Sequence, residues 1–219
     1  RTLNQVLPDV YNRFAEGAAR VSPKDLNSLL TSESLRGVSS VFTQLGLIRD
    51  EKGQPVINAD TGALKEVLDR IENKTSYGEI ATGKYLIDEF AKEPFGWGLD
   101  VVVLFVVSLI RAGKIRATSK GTVIENVLST DAKMAFTSNN VFKACSFQKR
   151  VSGTDITDWL QSEEAFRDVF GKQLPELQAS VVASTVRHAV GAAEEDLLEV
   201  LTTILTRSLP GKDMLQEAI

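Results

Sequence analysis

A mainly α fold with small β-hairpins is predicted by three observations. Apolar residues recur at helical spacing along most of the chain. Twice, a set of helical segments is followed by two short strands around a glycine-containing turn, Asp50-Glu51-Lys52-Gly53 and then Ser119-Lys120-Gly121. From Thr154 onward the pattern is purely helical. Helices closed by a small hairpin is the layout of a winged helix. The chain therefore reads as a winged-helix-like module over 1–60, a second with a basic wing over 61–150, and an acidic helical region over 151–219.

In the first module Leu3, Val6, Leu7, Val10, Tyr11 and Phe14 share a helical face, with Pro8 starting or kinking that helix. Ser22-Pro23 predicts an N-cap followed by proline at the first helical position, with Leu26, Leu29 and Leu30 buried. A third helix is expected over Leu35, Val38, Val41, Phe42 and Leu45, capped by Gly46. Leu47-Ile48-Arg49 and Pro55-Val56-Ile57 are the strands of the first hairpin.

The second module repeats the order. Leu64, Val67, Leu68 and Ile71 mark a connecting helix, and Tyr85, Leu86, Ile87 and Phe90 the next, stopped by Pro94. Phe95-Gly96-Trp97-Gly98 is a tight turn. Asp100 can cap a helix running to Ala112, which Gly113 ends. Ten of the twelve residues Leu99–Ile110 are apolar, so this element is buried nearly all round; its valines also suit a strand, but its caps and length favour helix. Lys114–Thr118 and Thr122–Ile124 form the second hairpin. In the terminal region three helices are expected: one through Ile156, Trp159, Leu160, Phe166, Val169 and Phe170, one from Ala179 to Ala193, and a third opened by Glu194-Glu195-Asp196 and ended by Pro210-Gly211.

Composition excludes several classes. With 43% hydrophobic and 25% charged residues over 219 positions, the chain has an ordinary globular balance, unlike disordered, collagen-like or disulfide-scaffold proteins. The longest apolar run, Leu99–Ile110, falls short of the roughly 20 residues of a membrane-spanning helix. One cysteine precludes an internal disulfide, and one cysteine with one histidine cannot furnish a four-ligand zinc site. Arg1 opens the sequence without a signal pattern, and the chain reads as a piece of a longer protein.

Charge is unevenly distributed. Residues 1–60 are neutral, 61–150 carry a net +3 and 151–219 a net −7. Within 111–150, eight bases stand against two acids, Glu125 and Asp131. Arg111, Lys114, Arg116 and Lys120 fall at the end of the apolar helix and on the wing, where a winged helix meets phosphate, and they are the candidate DNA-binding residues. Two solvated surfaces of opposite charge explain the same pattern equally well. The helix before the wing is too apolar to face a groove, so any DNA contact falls to the wing.

Gly78-Glu79-Ile80-Ala81-Thr82-Gly83-Lys84-Tyr85 has the glycine–lysine spacing of a phosphate loop, and carries the alternative reading of a stand-alone nucleotide-binding or hydrolytic domain using Gly78–Lys84. Tyr85 stands where a magnesium-binding hydroxyl is needed, and no buried strand precedes the motif. Thr82 and Gly83 suit a helix start better. Cys145 and His188 supply the only thiol and imidazole, with nothing in the sequence to pair them. No carboxylate pair is isolated as general acid and base, and Trp97 and Trp159 sit among core residues. No catalytic, cofactor-binding or metal-ligating residue is assigned.

Tyr11-Asn12-Arg13-Phe14, Val21-Ser22-Pro23-Lys24-Asp25-Leu26, Leu29-Leu30, Gly83-Lys84-Tyr85-Leu86 through Phe90, Pro94-Phe95-Gly96-Trp97 and Leu109-Ile110-Arg111-Ala112-Gly113-Lys114 together resemble the large P-loop ATPase family of BREX phage-exclusion systems, BrxC/PglY, over about residues 1–125. The proline–aromatic–glycine–tryptophan turn is the most specific part. The resemblance implies a non-nucleotide-binding fragment of a cytoplasmic bacterial ATPase that works in a multi-protein complex against phage DNA replication and supports host methylation. It implies ATP and magnesium for the parent chain but no cofactor here, other defence subunits as partners, double-stranded DNA as a further candidate, no membrane, and oligomerisation through the parent.

Overall fold

The computed structural model describes residues 9–32, 34–51, 53–150, 156–174 and 179–207. The first expected helix falls mostly on residues outside this set; what is described there is a 3-10 turn, Phe14–Gly17. Helix α1 (Pro23–Thr31) starts as its sequence requires. The Ser22 hydroxyl accepts from the Asp25 N–H while the Asp25 carboxylate accepts from the Ser22 N–H at 2.8 Å, a reciprocal capping box with proline at the first turn. The third expected helix is cut to α2 (Ser40–Gln44). Gly37, at φ +76°, breaks the chain direction before Ser39, so Leu35 is buried from a loop and not from a helix face.

Strands β1 (Ile48–Glu51) and β2 (Gln54–Ile57) pair antiparallel with Ile48 opposite Ile57, and the Gly53 N–H donates to the Asp50 carboxylate across the turn. Helix α3 (Gly62–Ser76) is capped by Thr61 and buries Ala63, Leu64, Val67 and Ile71. A two-residue strand, β3 (Ala81–Thr82), leads into α4 (Gly83–Phe90), which ends four residues before Pro94.

The turn after α4 folds its aromatics inward. Trp97 stacks on Phe90 with ring centroids 4.9 Å apart and meets Phe95 and Phe105 at 4.8 and 5.3 Å. Its indole N–H donates to the Arg13 carbonyl at 3.1 Å. Gly17 lies so close that an added Cβ would stand 2.6 Å from the indole ring. Arg13 also places its guanidinium 4.9 Å from the Phe95 ring centroid and ion-pairs with Glu16 and Glu66. The segment before α1 is thereby fastened to the second module. Trp97 belongs to the core.

Helix α5 (Leu99–Arg111) settles the strand-or-helix ambiguity as helix, and every residue from Val101 to Arg111 is buried. Its N-cap is Gly98, with no side-chain cap; Asp100, expected to cap it, sits within the first turn. Strands β4 (Ile115–Ser119) and β5 (Thr122–Ile124) form the second hairpin. Two short helices, α6 (Thr130–Phe136) and α7 (Asn139–Ala144), then bring the chain to β6 (Ser146–Lys149). None of these three elements was read from the sequence. The sheet order is β3-β6-β4-β5, all antiparallel, so the last strand is inserted between the first and second.

One apolar core runs from Val21 to Phe147 and joins both modules. Its centre is α5, against which α1, β2, α3, α4 and β4 all pack. Arg111 closes the arrangement. Its guanidinium, at 0% exposure, donates to the Leu29 carbonyl at 2.6 Å and the Ser32 carbonyl at 2.8 Å, occupying orphan acceptors at the C-terminus of α1.

The terminal region holds α8 (Ile156–Phe170) and α9 (Ala179–Arg207). The two helices expected over 179–209 are one. Glu194-Glu195-Asp196 lies in mid-helix, because no cap or proline interrupts the chain and Gly191 alone cannot end a helix. Phe166, Leu174, Val182 and Ala189 make a small separate cluster. The expected stop at Pro210-Gly211 lies outside the described residues. Among the described residues no helix is long and apolar enough to cross a membrane.

Arg111→Ala is expected to lower unfolding free energy by about 2–4 kcal/mol, since one buried and one half-buried carbonyl lose a charged donor and a buried side chain is removed. Urea titration followed by circular dichroism measures it; a loss comparable to that of a surface arginine would remove Arg111 from this role.

Candidate nucleic-acid interface

The four candidate bases are not equivalent. Arg111 is corrected: it is buried in the α1–α5 contact and cannot reach a ligand. Lys114, Arg116 and Lys120 are exposed. Residues 112–124 contain these three bases and no acid. Lys114 begins the hairpin, its carbonyl accepting from the Arg150 N–H at 2.9 Å. Lys120 sits at the tip with φ +49°, followed by Gly121 at +84°. Both central residues of this two-residue turn are left-handed, as the twist of a tight hairpin demands.

The strand pattern orients Arg116. Ile115 and Ala117 are wholly buried on the inner face, so Arg116 projects outward, where it donates to the Gln148 side-chain carbonyl at 3.0 Å. Of the remaining bases in this stretch, Lys149 ion-pairs with Glu72 at 2.7 Å and Arg150 with Glu125 at 3.6 Å. Lys133 and Lys143 are exposed and, among the described residues, form no ion pair. Near Lys114, the Asp60 carboxyl is held below the ordinary carboxylate range, chiefly by its hydrogen bond from Arg49 at 2.9 Å, with Lys65 and Lys114 adding weaker attraction.

The phosphate-loop alternative has a different geometry here. The Gly83 N–H donates to the Cys145 carbonyl at 2.9 Å, and the Thr82 hydroxyl accepts from the Tyr85 N–H as the N-cap of α4. Lys84 reaches along the helix to Asp88 at 3.0 Å. A Cβ on Gly83 would lie 2.0 Å from the Phe142 carbonyl oxygen, so this glycine serves the close approach of α7 to α4. Donors that would have to cradle phosphate are thus engaged within the fold.

Cys145 is buried, its thiol donating to the Val141 carbonyl, and burial pushes its pKa up, the reverse of an activated nucleophile. His188 lies exposed on α9, away from that core. Among the described residues no group of three or more His, Cys, Asp or Glu side chains could hold a metal ion.

Three helices, α3, α4 and α5, followed by the β4–β5 hairpin define a winged helix–turn–helix domain, with the first module packed over its third helix. The family model for the winged helix–turn–helix domain of the BREX ATP-binding protein BrxC matches residues 31–151, more than half of the chain. The chain belongs to that family and is a region of a BREX defence protein. No curated protein and no solved structure matches it.

Gly83→Ala is expected to destabilise the fold by about 1–3 kcal/mol through the enforced shift of backbone against backbone. A thermal melt with and without ATP and magnesium measures this. Equal melting for variant and parent would show the Gly83 contact to be slack.

Proposed function

We propose that this chain is a non-catalytic interaction region of a BREX ATPase, serving its cytoplasmic assembly by holding other defence subunits and contacting double-stranded DNA through the wing. What supports the reading is the contrast between a third helix buried to its last residue and a wing whose cations Lys114, Arg116 and Lys120 stay in water with no acid among residues 112–124. Apart from the weak attraction between Lys114 and Asp60, these cations have no carboxylate partner among the described residues, and their charge is left for a phosphate. On this reading ATP and magnesium belong to another part of the parent chain, and oligomerisation also proceeds through the parent. The alternative use of Gly78–Lys84 as a nucleotide site draws no support from a lysine turned to Asp88 and a glycine amide already bonded.

Changing Lys114, Arg116 and Lys120 together to Ala is expected to weaken duplex binding. The log–log salt slope should fall by roughly 2 to 3 units, at about 0.9 per phosphate neutralised. Fluorescence anisotropy across a salt series measures both. An unchanged slope would move the interface off the wing and leave protein contact as the role. Magnesium-dependent ATP binding lost in Lys84→Ala would instead restore the nucleotide reading.

A further inference from the structure

The sheet that carries the wing has an outer face of which the readings above use only Arg116. Cross-strand register aligns Arg116 with Gln148, and Thr118 with both Ser146 and Val123. Ile115, Ala117, Phe147 and Ile124 fill the inner face. Alternation therefore puts Arg116, Thr118, Ser146 and Gln148 on one side. Arg116 and Gln148 are exposed, Thr118 and Ser146 half-buried. With their cross-strand partners Thr82 and the exposed Val123, these residues give the face one guanidinium, one carboxamide, three hydroxyls and one apolar side chain, and none of them is a carboxylate. Arg116 donates one N–H to the Gln148 oxygen, which holds the two side chains together and leaves the carboxamide NH2 and the other guanidinium donors for a ligand.

Shape decides how such a face could meet DNA. Four strands spaced about 4.8 Å apart span roughly 14 Å before side chains are added, wider than the ~12 Å major groove. The β4–β5 hairpin extends past its neighbour β6 only from Ser119 to Thr122, since Thr118 already pairs with Ser146. Its tip is too short to reach deeply between phosphates. Helix α5, the element that would enter the groove, is enclosed. Arginine, hydroxyl and carboxamide donors are the groups that position proteins on the sugar–phosphate backbone.

We infer that the outer sheet face, through Arg116, Gln148, Thr118 and Ser146, is a docking surface for the phosphate backbone of duplex DNA that does not read sequence. The inference rests on the proposed DNA contact and extends it from the wing cations to β6. Gln148→Glu puts a carboxylate beside Arg116, so that an internal ion pair replaces the donor pair without altering the buried face.

The test uses the 219-residue chain and two fluorescein-labelled 20-base-pair duplexes of equal composition and scrambled order. Both duplexes are expected to bind within twofold of each other, and Gln148→Glu, with an unchanged circular dichroism spectrum, to bind each at least tenfold more weakly. Thr118→Val/Ser146→Ala should weaken binding by a smaller factor at equal stability. A preference above tenfold for one duplex would overturn the absence of base reading. Gln148→Glu binding like the parent chain would remove the sheet face while leaving Lys114 and Lys120 of the wing. No binding of either duplex by the parent chain would fail the DNA reading itself, and this inference with it.

Discussion

Burial of α5 on every side is the constraint on which the rest of the structure depends. A thirteen-residue helix with eleven buried positions cannot be covered by a sheet and two helices alone. The first module supplies the missing cover: α1 and β2 lie against α5, and Arg111 fixes α1 by bonding its terminal carbonyls. A buried guanidinium is tolerated there because charged hydrogen bonds to main-chain oxygens compensate for lost water. The two modules are similar in their order of elements, yet neither has a core of its own. They share one.

That sharing separates this domain from a winged helix that reads DNA with its third helix. Packing has taken over the helix, and what reaches water is the hairpin, the outer sheet face and the small helices α6 and α7. The positive charge follows. Of the eight bases between 111 and 150, one is buried, two are ion-paired, and five face solvent. Charge on an exposed hairpin costs little and remains available, whereas the same charge in the core must be fully paired.

Much of this was legible in the residues. The Ser22-Pro23 cap, both hairpin turns and the apolar α5 followed from local chemistry, because each depends on near neighbours. The losses have physical reasons too. Arg111 reads as a free cation at a helix end, and only the tertiary position of the Leu29 and Ser32 carbonyls makes it a core residue. Strand β6 has a single buried side chain, Phe147, in four residues, too short a signal for periodicity to detect. Without β6, Gln148 had no reason to be placed beside Arg116. The acidic run at Glu194 resembles a helix start, but negative charge favours a first turn without creating one.

The placement of β6 also governs when the domain can be completed. Strands β3 and β4 follow one another along the chain but do not pair; each waits for residues 146–149, the last to emerge from the ribosome among those that build the sheet. Until then two strand edges with unpaired main-chain groups stand open on an otherwise assembled helical core, the state in which chains pair wrongly with one another. A polypeptide stopping anywhere before Ser146 keeps those edges open permanently. Strand β6 thus acts as a seal applied last to the sheet, and the family match at residue 151 ends just after it closes.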